Sequence, residues 1–304
     1  MENKSSITAL MSSFSRAFHA ENEKHHVFYD DFAKKLMTKE EYDAVSRYII
    51  GGAKFFELEM DLKNLSENEI LRRIINYHLA PSPLCRSAYA ENALKTAIMS
   101  GTKQYVILGA GLDTFALKNL DLPDDFKIYE VDHPLTQSDK IERIKRSNLQ
   151  TFKNLTYVSV DFTTESLYKK LTASGFDKTA KTFFSWLGVT YYLSYEDTGK
   201  TLGELETLCE NGSSLVFDYP DENFFCAPEK RVQNTILMAK AGAEEMKSSF
   251  SYERIEKLLE KHGFLIYELL YPSDIQKSII DKSKADIKAF EHVNYCLAVK
   301  NKMA

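Results

Sequence analysis

From Gly101 onward the chain alternates short apolar runs with longer amphipathic ones. Residues able to fill a buried strand cluster at Gln104–Leu108, Phe126–Asp132, Leu155–Asp161, Thr182–Val189, Ser214–Tyr219, Phe264–Tyr271 and Val293–Val299. Short runs rich in Val, Ile, Phe and Tyr predict strands. Helical segments lie between most of them, at Leu135–Asn148, Glu165–Ala173, Glu196–Cys209 and Tyr252–His262. Ser194, ahead of the acidic pair Glu196 and Asp197, is placed to cap one helix, and Ser251 another. Gly263 falls where a helix C-terminus needs positive φ. Such alternation predicts an α/β fold with a mainly parallel sheet covered by helices on both faces. The link from Tyr271 to Val293 is polar, with a short helical piece, so the last two strands are expected to pair antiparallel. That would complete a seven-stranded sheet.

The first hundred residues carry no strand pattern. Phe14, Phe18, Phe28, Phe32, Leu36 and the run Tyr42–Phe56 predict several short amphipathic helices. No Gly/Pro/Ser-rich linker and no internal repeat separates them from the strand-bearing region. Residues 1–304 therefore read as one domain, with 1–100 a helical cap and 101–304 the core.

Composition narrows the class. In 304 residues, 27% are charged and 12% aromatic, ordinary for a soluble enzyme and inconsistent with wholesale disorder. A net charge of -5 argues against nucleic acid as a partner, which needs a clustered basic surface. The most basic stretch, Lys140 to Arg146, reads as the solvated face of a helix. No apolar run is long enough for a membrane span, and the N-terminus lacks a signal-peptide pattern. Cys85, Cys209, Cys226 and Cys296 are widely spaced and have no His at metal-ligand spacing. They read as reduced thiols of a cytoplasmic protein without a metal site.

The candidate chemistry lies at the strand ends, where doubly wound sheets bind ligands. The first strand runs into Gly109-Ala110-Gly111, and paired glycines let backbone approach a ligand closely. The third glycine of a dinucleotide fingerprint would fall at Thr114. Without it the loop suits a nucleoside lacking a diphosphate, of which S-adenosylmethionine (SAM) is the commonest. The second strand ends in Glu130-Val131-Asp132, 21 residues past Gly111, at the spacing of an acid that takes ribose hydroxyls. The third ends in Asp161-Phe162, an acid and a ring suited to adenine. The fourth ends in Trp186-Leu187-Gly188-Val189, followed by Tyr191-Tyr192. One Asp at a strand end is commonly a turn residue. Three successive ends in order after Gly-x-Gly favour a bound nucleoside.

Gly109-Ala110-Gly111-Leu112-Asp113-Thr114, followed by Tyr129-Glu130-Val131-Asp132-His133-Pro134, resembles the leucine carboxyl methyltransferase family, which includes the bacterial TcmP-like polyketide O-methyltransferases. The likeness extends back to Cys85-Arg86-Ser87 and Arg16-Ala17-Phe18-His19, and forward to Val160-Asp161-Phe162 and Gly188–Leu193. It implies a class I methyltransferase fold and SAM as cofactor, with S-adenosylhomocysteine (SAH) as its product. It also implies that Arg86 pairs with the methionine carboxylate and that Gly109, Ala110 and Gly111 line the cofactor. Asp132, with His133 beside it, would hold the ribose, and Asp161 with Phe162 would frame the adenine. One departure stands out: Leu187 occupies the place where the family usually has Glu. A polar contact near the cofactor's amino group is then absent or supplied by a backbone carbonyl.

Methyl transfer from a sulfonium mainly requires alignment and exclusion of water. A carboxylate acceptor needs no base, whereas a phenol benefits from one. The base candidates are His133, His25, His26 and His78. None has a visible orienting partner, which favours a base-free mechanism. Tyr191, Tyr192, Tyr29 and Phe28 could wall a substrate site; no catalytic residue is assigned, and His133, Tyr191 and Tyr192 are the candidates at the strand ends. The expected activity is O-methylation of a small-molecule acceptor, without nucleic acid or membrane partners. A protein C-terminal leucine carboxyl methyltransferase, an NAD(P)-dependent oxidoreductase and a non-catalytic SAM-binding protein stay open as alternatives. No feature names the acceptor or the oligomeric state.

Overall fold

A computed structural model describes residues 6–56 and 65–301. Seven strands form one sheet: β1 (Gln104–Leu108), β2 (Lys127–Asp132), β3 (Leu155–Ser159), β4 (Thr182–Trp186), β5 (Ser214–Pro220), β6 (Phe264–Leu270) and β7 (Val293–Lys300). Their order is β3-β2-β1-β4-β5-β7-β6. The first five pair in parallel, and β7 runs antiparallel to both β5 and β6, as the short final link implied. The chain moves outward from β1 in one direction to β3, then returns to start β4 on the other side. This reversal opens a crevice beyond the carboxyl ends of β1 and β4.

Among the described residues the helices of the N-terminal region are α1 (Ile7–Asn22), α2 (Asp31–Lys35), α3 (Lys39–Gly51), α4 (Glu67–Ile74) and α5 (Pro81–Met99), with a π turn (Ile75–Leu79) between the last two. Among the described residues of this region no strand occurs. Two of the helices are longer than the short ones expected, α1 with 16 residues and α5 with 19. The core adds α6 (Phe115–Lys118), α7 (Pro134–Arg146), α8 (Leu167–Ala173), α9 (Tyr195–Leu208), α10 (Lys230–Ala241) and α11 (Tyr252–Lys261). Ser194 and Ser251 cap α9 and α11 by accepting the N–H of Asp197 and Arg254, and Gly263 has φ +69°.

Strand alternation divides the apolar side chains between two layers. Tyr105, Ile107, Phe183 and Val216 face the N-terminal helices, packing in one cluster with Phe14, Phe18 and Leu84. Val106, Leu108, Phe184 and Phe217 face the opposite layer, with Leu171, Leu205 and Leu259 from α8, α9 and α11.

Two features differ from the sequence reading. Lys140 is not solvated: it is 1% exposed, and its ammonium meets the Glu130 carboxylate at 2.5 Å. Burial raises the Glu130 pKa against the pull of Lys140. Arg143 is also buried, bonded to Asp139, Glu41 and the Leu36 carbonyl. The second difference is α10, a helix that the sequence pattern does not predict. Arg231 and Asn234 turn inward there, so the buried face is not an apolar stripe. Arg231 is satisfied by Glu291 and by carbonyls of Tyr77 and Ala289.

Candidate active site

The register of β1, β2 and β4 aligns their ends: Leu108 pairs with Val131 on one side and Trp186 on the other. Gly109, Asp132 and Leu187 are therefore neighbours at the same level of the sheet. Gly109 turns the chain at φ +68°, where a Cβ would lie 2.3 Å from Val189 Cγ2, so no other residue fits without rebuilding the turn. The Gly109 and Ala110 N–H groups donate to the Val131 carbonyl, which ties the loop to the end of β2. Asp132 accepts from the N–H of Gly111 with one carboxylate oxygen and from that of His133 with the other. Each oxygen keeps a second lone pair for a ligand. Burial raises the Asp132 pKa, and the two N–H groups oppose the shift.

Arg86 reaches the same level from α5. Its guanidinium lies against Gly188, and Nη1 is 3.4 Å from Asp218 Oδ2. Asp218, on β5, is fully buried. Its other oxygen accepts from the Gly188 N–H at 2.6 Å, and Oδ2 also accepts from the Tyr191 hydroxyl at 2.8 Å. One carboxylate thus positions the guanidinium, the turn after β4 and a tyrosine ring. Arg86 makes that single, long contact, leaving most of its five donors unengaged among the described residues.

The cap is locked to the glycine loop by buried polar groups. Arg16 of α1 pairs with Asp30 at 2.6 Å and donates to the Leu112 carbonyl at 2.8 Å. Thr114, in the place of a third glycine, donates its hydroxyl to Asp30 at 2.8 Å. The helix after the loop, α6, is only four residues long. The position that packs a pyrophosphate-binding helix in dinucleotide enzymes here fastens the cap.

These groups border a cavity of about 520 Å³. Arg86, Gly109, Ala110, Gly111, Asp132, His133, Asp161, Phe162, Leu187, Tyr191 and Tyr192 all line it, so the cofactor residues expected from the sequence and the two tyrosines after β4 are brought together. Phe28 and Tyr29 do not line it: Phe28 packs under the Lys118 ammonium, and Tyr29 is 58% exposed. Neither walls a substrate site, and His25 and His26 are likewise outside the lining. His133 is the exposed N-cap of α7, its Nδ1 accepting from the Leu135 N–H at 3.3 Å, which occupies the lone pair a base would use. Burial, reinforced by Asp218, holds the Tyr191 phenol well above its ordinary pKa, and its proton is already committed to Asp218. It positions neighbours and is unsuited to exchanging protons. Asp161 accepts from the Thr163 N–H and hydroxyl with Oδ1, and Thr163 lowers its pKa.

Sequence reasoning missed Asp218 and the α10 face. The acid near the end of β5 carries the same signal as the acids that end β2 and β3, so it was within reach of the sequence. Met238 and Ala239 of α10, with Phe224, Met246 and Phe290, make the remainder of the cavity wall largely apolar.

The donor set suits SAM on geometric grounds. Arg86 offers unengaged N–H donors to an amino-acid carboxylate, Asp132 offers lone pairs to a diol, and Asp161 with Phe162 offers an acceptor and a ring face. The model of the leucine carboxyl methyltransferase family matches residues 9–206. YktD of Bacillus subtilis (strain 168), which carries the name of an S-adenosyl-L-methionine-dependent methyltransferase, is 41% identical over 302 residues, 98% of this chain and 99% of its own. A DUF574 family protein from Streptomyces avermitilis superposes with a TM-score of 0.56 at 15% identity, covering 95% of this chain and 97% of the other. A Thermobifida fusca protein named as a methyltransferase gives 0.54 at 12% identity, covering 98% and 96%. These two likenesses concern the fold. The chain belongs to the leucine carboxyl methyltransferase family and is a SAM-dependent enzyme built on the seven-stranded methyltransferase sheet.

Proposed function

We propose that the enzyme transfers the methyl group of SAM to an oxygen atom of a small, largely apolar acceptor, in the manner of the TcmP-like branch. The observation that carries this reading is the cavity itself. Its volume of about 520 Å³ lies in the range of small-molecule sites, and it continues from the polar strand ends into an apolar chamber under α1, α5 and α10. When bound, SAM supplies an electrophilic methyl group on a sulfonium. Arg86 would hold its carboxylate, Asp132 its ribose, and Asp161 with Phe162 its adenine, with the glycine loop and His133 alongside. Leu187 offers no side-chain acceptor, so a backbone carbonyl near the turn after β4 would serve the amino group.

The protein's own groups then align acceptor and methyl and exclude water, through the cap fastened by Arg16, Asp30 and Thr114. Methylation of a protein C-terminal carboxylate, the chemistry in the family's name, is the second reading. It is favoured by the family match and opposed by the lack of a spare cation for such a carboxylate: of the arginines among the described residues that line the cavity, Arg16 is paired with Asp30, and Arg86 is taken by the carboxylate of SAM in this reading. The unpaired thiols of all four cysteines fit a cytoplasmic enzyme. Among the described residues no helix is long and apolar enough to cross a membrane.

Incubation with SAM carrying a labelled methyl group and a panel of small apolar alcohols, phenols and acids tests the proposal. Label recovered as a methyl ether or ester of one panel member supports it. Label appearing only on added protein C-termini would replace it with the second reading.

A further inference from the structure

We infer that His78 receives the hydroxyl group of the methyl acceptor, its Nδ1 first accepting the O–H hydrogen bond and then the proton. The inference rests on the O-methyltransferase reading above and specifies the acceptor as a neutral phenol or enol. His78 lies in the π turn between α4 and α5, is 4% exposed, and lines the cavity. Single π turns recur at functional sites because they displace one side chain from the helical ladder. The His78 Nε2 is 3.1 Å from the Phe56 carbonyl. A carbonyl can only accept, so Nε2 carries the hydrogen and Nδ1 carries the lone pair. That Nδ1 is buried and has no hydrogen-bond partner among the described residues. An orphaned acceptor in a buried ring is unfavourable unless a ligand completes it.

Its place along the helix fits the role. His78, Ser82 and Arg86 all line the cavity, four residues apart on one helical run. At a rise of ~1.5 Å per residue, His78 is on the order of 12 Å along the axis from the proposed carboxylate anchor, toward the acceptor end. Helix α10, which supplies Met238 and Ala239 to the apolar chamber, packs against the π turn. Burial, with the Arg231 charge adding to it, lowers the His78 pKa to about 4, so the lone pair is present at neutral pH. A lone pair repels a carboxylate and accepts a hydroxyl. As the new O–CH₃ bond forms, the S–CH₃ bond breaks and its electron pair stays on sulfur. The acceptor's O–H bond breaks and its proton moves to Nδ1, so the positive charge lost at sulfur reappears on imidazolium, which later releases the proton to solvent.

The test is ¹⁵N NMR of histidine-labelled protein saturated with SAH and titrated with phenol and, separately, with benzoate. The His78 Nδ1 resonance is identified by its loss in His78→Gln. Phenol is expected to shift that resonance and benzoate to leave it in place. No shift with phenol, or an equal shift with benzoate, would overturn this inference alone. Failure of SAH to bind would overturn the proposed function along with it.

Discussion

The Arg86 guanidinium occupies the space that a side chain at position 188 would need: a Cβ on Gly188 would come within 2.3 Å of Nη1 and 2.6 Å of Cζ. Gly188→Ala should therefore push Arg86 off its station and reduce SAH affinity at least tenfold. Gly188 also has φ +70°, so backbone strain must be separated from displacement. Gly175, at φ +81° with open space around it, supplies the control. Gly175→Ala should cost about 1 kcal/mol of stability and leave SAH affinity unchanged. Equal affinities in the two variants would show that Arg86 is not an anchor.

Restoring the missing third glycine should not create a dinucleotide site. In Thr114→Gly the hydroxyl that holds Asp30 is lost, and the cap should loosen by about 1–3 kcal/mol. Thermal denaturation and titration with NADH check both halves. Gain of NADH binding would mean that Thr114 alone decides the ligand class.

Lys140 and Glu130 should be strongly coupled. Lys140→Met leaves the Glu130 carboxylate buried without a counter-charge, and a loss of about 3–5 kcal/mol is expected in urea denaturation. Adding Glu130→Leu should recover much of it, since the unpaired charge is then gone. A double variant as unstable as the single one would locate the cost in packing.

Stability should fall on mild acidification because of two histidines. Burial, helped by His26, lowers His19 from 6.5 to about 4, and burial lowers His78 to about the same value. Between these values the unfolded chain binds more protons than the folded one, so the stability from each group is complete above pH 6.5 and disappears as pH falls toward 4. At about 1.4 kcal/mol per pKa unit, each contributes a few kcal/mol. Urea denaturation at about pH 7 and about pH 4.5 should show the loss, and His19→Leu should reduce it. Equal losses in wild type and variant would assign the acid sensitivity elsewhere.

The sheet was readable from sequence because each strand is a short, nearly continuous apolar run, and β1 was bounded to the residue. The strand-end acids were readable because the parallel register places them at one level, as Leu108 with Val131 and Trp186 makes plain. What failed depends on tertiary partners. Lys140 looks like a surface lysine until Glu130, ten residues earlier, is brought beneath it. Arg231 hides α10 because a buried guanidinium removes the apolar stripe. The orienting partner of His78 is a backbone carbonyl 22 residues away, and no side-chain pattern encodes that.

Calorimetric titration of SAH into the wild-type enzyme and into Asp132→Ala tests most directly that the strand ends hold SAM. Removing a half-buried carboxylate that receives a diol should cost about 1.5–3 kcal/mol, or roughly 10- to 150-fold in Kd, with the fold retained. Wild-type binding at one site, weakened by that factor in the variant, is the expected result. Undiminished affinity in a folded Asp132→Ala protein would contradict it.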